Sequence, residues 1–339
     1  MLMKPTDFAF YLTQFLTVYL PGQKNASRNT IASYRDAFKL LIHYCQEQQN
    51  IAVEKLTIKM LTPELIAGFL DWLENDRQSS ISTRNQRLAA IHSFFRYVQY
   101  EDPCGILHFQ KVIAIPIKKM PKTVMPHLTS DAIQLLLSQP DKTTKKGRRD
   151  LTLLGTLYDS GCRVQELADL KIRDVILTNP PVLVLTGKGN KTRRVPLMKN
   201  TQILLEHYIL ENTLDNPWKS EYPLFVNKQH HKLSKEGIAY IISHYVIAAR
   251  KISTIVPEKV TPHMFRHSKA MHLLQAGINL IYIRDFLGHE HIKTTEIYAK
   301  CDTELKRHAI ENAYPDLIDS SLPDWTEDRG LLTWLSELS

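Results

Sequence analysis

A mainly α-helical chain with one small antiparallel β-sheet, divided into two domains, is predicted by three observations. Apolar residues recur at three and four along most of the 339 residues, the spacing that lines one helix face. A single stretch, Val182 to Leu197, has β character, with two short runs flanking Gly187-Lys188-Gly189-Asn190-Lys191 as in a hairpin. The length suits about two domains, and a proline-rich, basic stretch at 101–126 follows a helical first hundred residues.

The first domain, 1–104, reads as four helices. Residues 4–20 place Phe8, Tyr11, Leu12, Phe15, Leu16, Tyr19 and Leu20 at helical spacing, and Pro21-Gly22 is expected to stop them. A second helix starts near Ser27 or Asn29 and runs to about Gln49, with Tyr34, Phe38 and Leu41 in its stripe. Thr62 caps a third, with Pro63 at its first position. A fourth starts at Ser80 or Ser82 and carries Leu88, Ile91, Phe94 and Phe95. Two of these helix starts are crowded with Ser, Thr, Asn and Arg. Such groups suit phosphate oxygens and base edges, so Arg28, Thr83, Arg84 and Arg87 are candidate nucleic-acid contacts. Ordinary capping accounts for the same residues equally well. Residues 105–126 hold Pro116, Pro121 and Pro126 with Lys118, Lys119 and Lys122, and read as an extended basic linker able to follow a DNA backbone.

The second domain, 127–310, opens with a helix capped by Thr129 or Ser130. A helix over Arg149–Ser160 ends at Gly161, and another starts at once with Arg163. After the hairpin come helices at 201–213 and 235–251. Thr261 to Lys300 is then the stretch richest in chemistry. His263 and Arg266, three apart, share a helix face. His289 follows Gly288, and Tyr298 comes nine residues later, in a segment where Ile292, Thr295 and Tyr298 recur at three. A helix is expected to continue to about Ala313. Residues 311–339 form an acidic tail ending in an apolar patch around Trp334, suited to docking on its own domain or on a partner.

Composition narrows the classes. No run of 18 apolar residues exists, so no transmembrane helix is expected. The apolar N-terminus lacks a basic leader region and a cleavage motif, which favours an amphipathic helix over a signal peptide. The cysteines, Cys45, Cys104, Cys162 and Cys301, are scattered, so neither a zinc ribbon nor a disulfide framework is indicated and a cytoplasmic setting fits. The net charge is +8. Residues 311–339 hold seven acids and one arginine, a net of −6, which leaves +14 on residues 1–310. A body that basic favours a polyanion partner, nucleic acid first, and with no spanning run no membrane partner is expected.

The polar set in Thr261–Lys300 suits attack on a phosphodiester. A tyrosine is a nucleophile that needs activation, since its phenol ordinarily titrates near 10. Arginine clamps phosphate oxygens with paired hydrogen bonds, and histidine moves protons near neutral pH. Taken singly, each of these residues is more often structural, and only the ordered combination carries weight. Lys188, between two glycines, can reach a ligand, although Gly-Lys-Gly is no phosphate-binding P-loop. A metal hydrolase built on His263, His267, His289 and His291 lacks both a His-Glu-x-x-His motif and an evident carboxylate partner.

The motifs D-S-G-C-R-V-Q-E-L at 159–167, T-G-K-G-N-K-T-R-R-V-P-L at 186–197, H-M-F-R-H-S at 263–268, L-G-H at 287–289 and T-T-E-I-Y at 294–298 resemble those of the tyrosine recombinases, the phage integrase family of DNA breaking–rejoining enzymes. The resemblance is close over 127–310 and holds in outline for the first domain. Cys162 departs from it, standing where the family often has an apolar residue. It implies an N-terminal SAM-like core-binding domain followed by an α+β catalytic domain. It implies that Arg163 and Arg266 clamp the scissile phosphate, Lys188 protonates the leaving 5′ oxygen, His263 assists proton transfer at Tyr298, His289 hydrogen-bonds the phosphate and Tyr298 attacks. The implied function is site-specific recombination or integration for a mobile element, without metal, ATP or other cofactor. The implied partner is double-stranded DNA, held by a homotetramer on two sites with C-terminal segments exchanged, and an accessory DNA-bending or directionality factor is a further candidate. The competing reading is a DNA-binding protein of the same fold with idle chemistry, which loss of Arg163, Arg266 or Tyr298 would favour; all three are present.

Overall fold

The computed structural model describes residues 5–120 and 125–289, together with Thr295, Glu296, Tyr298, Gly330, Thr333 and Glu337. The chain forms two compact units, 1–123 and 124–339.

In the first unit, α1 (Asp7–Gln14) starts at Thr6, whose side chain accepts from the Ala9 amide. The winding then widens into a π-helix, Phe15–Gln23, which continues through Pro21 instead of stopping there. Tertiary packing overrides the local stop signal. Phe15 is fully buried, stacked on Tyr34 with centroids 6.1 Å apart and edge-on to Phe94 at 5.5 Å. Helices α2 (Arg28–Gln48), α3 (Pro63–Asn75) and α4 (Ile81–Glu101) are capped by Ser27, Thr62 and Ser80, each hydroxyl accepting an amide three residues on. Residues 106–113 correct the expected linker. They form a helix, α5 (Ile106–Ile113), because Phe109 and Val112 fall on one face and bury against this unit's core.

After α5 the described residues up to 120 run without helix, and they are tied to the start of α4. The Asn85 amide donates to the Lys118 carbonyl at 2.8 Å and its oxygen accepts the Lys118 amide at 3.1 Å. Glu74 on α3 pairs with both Lys118, at 2.5 Å, and Arg84, at 3.4 Å.

In the second unit, α6 (Ser130–Leu137) is capped by Thr129. Helix α7 (Lys145–Ser160) begins a turn earlier than the apolar pattern suggests, because Thr144 caps it. A short α8 (Val164–Asp169) follows. The sheet has order β1-β2-β3, from β1 (Val175–Ile176), β2 (Val182–Thr186) and β3 (Thr192–Pro196), all antiparallel. Strand β1, two residues long, is too short to show a periodicity in the sequence. Leu183 pairs with Val195, and the inward face of Leu183, Leu185 and Val195 joins the core made by Leu153, Leu154 and Leu157 of α7. Helices α9 (Lys199–Glu211), α10 (Lys235–Arg250), α11 (Pro262–Gln275) and α12 (Leu280–Leu287) follow among the described residues. The expected helix to Ala313 and the expected docking or exchange segment at 311–339 lie outside the described residues, apart from Gly330, Thr333 and Glu337. Among the described residues no helix is long and apolar enough to cross a membrane.

Candidate active site

The site is built where the ends of α7 and α12 meet α11. Thr261 caps α11 and Pro262 takes its first position, so His263 lies exposed in the first turn. Met264 and Phe265 anchor the helix in the core, and Arg266 beside them is only 2% exposed. Its guanidinium donates to the Gly161 carbonyl and to the Leu287 carbonyl, both at 2.7 Å. These are carbonyls at the C-terminal ends of α7 and α12, where acceptors are left over and the helix dipole is negative. Two helix ends thus solvate one buried cation. Burial, with Arg163 and Arg193 nearby, lowers its pKa to about 10, which leaves it charged at neutral pH.

Arg163 is the N-cap residue of α8. Its amide donates to Glu166 Oε2 at 2.8 Å, its Nη1 to Glu166 Oε1 at 2.9 Å and its Nη2 to the Gly288 carbonyl at 3.4 Å. Arg193 reaches the same carboxylate from β3 and donates its Nε to the Phe286 carbonyl at 3.0 Å. Burial by itself would raise the Glu166 carboxyl, but Arg193 and then Arg163 hold it down at about 2. Arg193 was not singled out from the sequence. The signal was there, since it sits two residues before buried Val195 and so puts a charge on the inward face of a strand.

Gly187 ends β2 against this pair. A Cβ there would lie 3.0 Å from Glu166 Oε1 and 3.7 Å from Arg163 Nη1, so only glycine lets the hairpin come this close. Lys188 opens the turn that follows; of it the structure describes the backbone alone.

Gly288 ends α12 at φ 65, and a Cβ on it would stand 2.9 Å from Arg193 Cδ. His289 comes next. Its Nδ1 is 3.0 Å from the Thr295 hydroxyl, and its ring lies nearly parallel to Tyr298, with centroids 6.4 Å apart. Burial, reinforced by Arg266, Arg163 and Arg193, lowers it to about 4, so the ring is neutral at pH 7.

Tyr298 is 1% exposed, among Ala270, Met271, Ile283 and Leu287. Burial raises its phenol pKa, and Arg266 and Arg163 work against that rise. Its hydroxyl is 2.7 Å from Nδ1 of His267, one residue beyond Arg266. The His267 ring packs edge-on to His263, centroids 4.9 Å apart. It is His267 rather than His263 that hydrogen-bonds the tyrosine. The H-x-x-R-H run signals it in the sequence only weakly, because a histidine beside an arginine on a helix is an ordinary sight.

The structure therefore brings Arg163, Arg266, His289 and Tyr298 together, with the Lys188 backbone next to the Arg163–Glu166 pair. Among the described residues no group of three or more His, Cys, Asp or Glu is placed to hold a metal ion, and His291 lies outside them.

The candidate DNA contacts of the first unit fare differently. Arg28 and Lys119 are exposed, and Lys122 lies outside the described residues. Thr83 has its hydroxyl 3.0 Å from that of the cap residue, Ser80. Arg84 and Lys118 share Glu74, and Arg87 donates to the Ser33 carbonyl at 3.1 Å. These side chains tie α4 to its neighbours.

Residues 126–304 match the model of the phage integrase family, and residues 12–101 match that of its N-terminal SAM-like domain. The first match spans more than half of the chain, and the chain belongs to the phage integrase family: it is a tyrosine-type site-specific recombinase with a SAM-like domain ahead of the catalytic one. It is 35% identical to the putative integrase/recombinase y4rC of Sinorhizobium fredii, over 99% of both chains. It is 29% identical to the tyrosine recombinase XerC of Myxococcus xanthus, over 90% of this chain and 97% of that one. In fold it is similar to the Tn1549 transposon integrase in complex with transposon right end DNA, with a TM-score of 0.70 at 17% identity, covering 91% and 99% of the two chains. It is also similar to the XerH site-specific recombinase bound to difH substrate, with a TM-score of 0.65 at 24% identity, covering 87% and 82%.

Proposed function

We propose that this recombinase cuts and rejoins duplex DNA at the ends or target of a mobile element, through a 3′-phosphotyrosyl intermediate on Tyr298. The observation that carries the reading is a buried tyrosine whose ring lies alongside His289 and whose phenol feels the charges of Arg266 and Arg163. In the forward step the Tyr298 oxygen forms a bond to the scissile phosphorus and the bond from phosphorus to the 5′ oxygen breaks. Arg163 and Arg266 hold the non-bridging oxygens, where charge grows in the transition state. With Nδ1 facing Thr295, neutral His289 has Nε2 left to donate to the same phosphate. Lys188 supplies the proton that the leaving 5′ oxygen takes up. A 5′ hydroxyl then attacks the phosphotyrosine in reverse. One phosphoester replaces another, so neither a metal nor a nucleotide is needed.

Double-stranded DNA is the partner, supported by the +14 carried on residues 1–310 and by the DNA-bound state of the Tn1549 and XerH structures. The mobile-element setting is supported by the integrase names of the relatives. Assembly as a homotetramer on two sites, with residues 311–339 exchanged between protomers and an accessory bending or directionality factor, follows from family membership. The idle DNA-binding reading gains nothing, since every matched catalytic position is filled.

The test is covalent trapping in EDTA on supercoiled DNA carrying the sequences that flank the gene. A denaturation-resistant, protease-sensitive adduct that Tyr298→Phe abolishes is the expected result. Tight binding of that DNA with no adduct would support the idle reading instead.

A further inference from the structure

We propose that Lys269 and Asp159 are positioning residues of the recombination reaction: their ion pair sets the place of α11 along α7, so that Arg266 and Arg163 face one phosphate. The inference rests on those two arginines being the phosphate clamp. Three polar contacts follow one face of α11. The Arg266 guanidinium donates to the Gly161 carbonyl at 2.7 Å, Lys269 Nζ donates to Asp159 Oδ1 at 3.2 Å, and His272 Nδ1 is 2.7 Å from the Tyr158 hydroxyl. Residues 266, 269 and 272 recur at three and so share a face, while their partners step back along the C-terminal end of α7. Every contact in this ladder joins α11 to α7, and none includes Tyr298.

The two clamp arginines stand on different elements. Arg266 belongs to α11, whereas Arg163 comes two residues after Gly161, where α7 has just ended. Their relative placement therefore depends on how α11 seats on the end of α7. The middle rung is the specific one. The Lys269 and Asp159 side chains are only 13% and 17% exposed. Lys269 Nζ also stands 4.9 Å from the centre of the Tyr158 ring, and the second oxygen of Asp159 accepts the Thr201 hydroxyl of α9. A pair so shielded from water adds little net stability, because desolvation offsets its attraction. Its effect is on register. The apolar neighbours Met271, Leu273 and Leu274 can pack at more than one offset, but an ammonium caught between a carboxylate and a ring face fits at one. Lys269 and Asp159 touch no phosphate in this scheme; they act through Arg266.

The experiment is single-turnover adduct formation at saturating concentrations of the same flanking-sequence plasmid, with Lys269→Met, Asp159→Asn, Arg266→Lys and the double variant of Lys269→Met with Arg266→Lys. Plasmid binding and urea midpoints are measured on the same preparations. Lys269→Met and Asp159→Asn are expected to keep the wild-type binding and midpoint and to react about 100-fold slower, the cost of a displacement of about 1 Å at a reacting centre. Arg266→Lys is expected to be slow in its own right, and adding Lys269→Met to it is expected to cost less than about threefold more, since the arginine to be positioned is gone. Asp159→Asn, which keeps the size of the side chain, carries the same reading where Lys269→Met folds poorly. Single variants at the wild-type rate, losses seen only as weaker binding or a lower midpoint, or losses that multiply in the double variant overturn the proposal and leave the clamp standing. Arg266→Lys at the wild-type rate, or no adduct from the wild-type chain on DNA that it binds, overturns the clamp and the proposal with it.

Discussion

Glu166 and Arg193 form a two-armed ion pair, Nη1 to Oε1 at 3.0 Å and Nη2 to Oε2 at 2.8 Å, and through it strand β3 fixes the carboxylate that orients Arg163. Glu166 is buried, so removing its main partner leaves its charge compensated by Arg163 alone among the arginines that hold it. Arg193→Ala is expected to lower stability by about 3 kcal/mol, the scale of a broken buried pair. Arg193→Ala with Glu166→Ala is expected to cost clearly less than the sum of the two single changes. Urea unfolding of the three variants reads both figures, and simple additivity would count against the pair as described.

Gly288 joins that pair to His289. Its φ of 65 and the 2.9 Å approach of Arg193 Cδ both work against a Cβ. Gly288→Ala is expected to cost about 1–2 kcal/mol from the left-handed backbone alone. The crowded Arg193 adds to this and disturbs the neighbouring His289, so adduct formation is expected to fall more than stability does. Thermal unfolding and trapping on one preparation separate the two effects.

Acid should weaken the second unit through its histidines. His267 and His289 titrate at about 4 in the folded chain, against about 6.5 when unfolded. Between these values the unfolded state binds more protons, so stability that is complete above about pH 6.5 falls as the pH drops towards 4. The charged groups facing them are Arg163, Arg193, Arg266, His263 and His127, none of which offers an anion to offset protonation. Urea midpoints at pH 7.5 and pH 5 are expected to differ in this direction, and to differ less in His267→Asn.

Phe109 tests the revised boundary. As part of a linker it would tolerate alanine; as a buried member of the first core, 5.8 Å from Phe95 between ring centroids, it will not. Phe109→Ala is expected to destabilise the first unit by about 3–5 kcal/mol. Limited proteolysis that cuts the variant within 63–113 and spares the wild type checks it.

Much of this protein was set by local sequence. Thr62 caps the helix it was expected to cap, and of the paired candidates Ser80 and Thr129 cap theirs, because a hydroxyl three residues ahead of an amide is a purely local fit. The hairpin, the C-cap at Gly161 and the identity of the polar set in Thr261–Lys300 were legible for the same reason. Tertiary structure alone decided the rest. It kept the helix turning through Pro21 and folded α5 out of a basic, proline-flanked stretch, because burying Phe15, Phe109 and Val112 outweighs the local preference. It used Arg84 and Lys118 on Glu74, as only contacts of α3 with α4 and with the stretch after α5 could. It also placed His267 rather than His263 on the tyrosine. Helical spacing says which residues share a face, but the distance between an α11 histidine and a tyrosine 31 residues later depends on how the two segments pack.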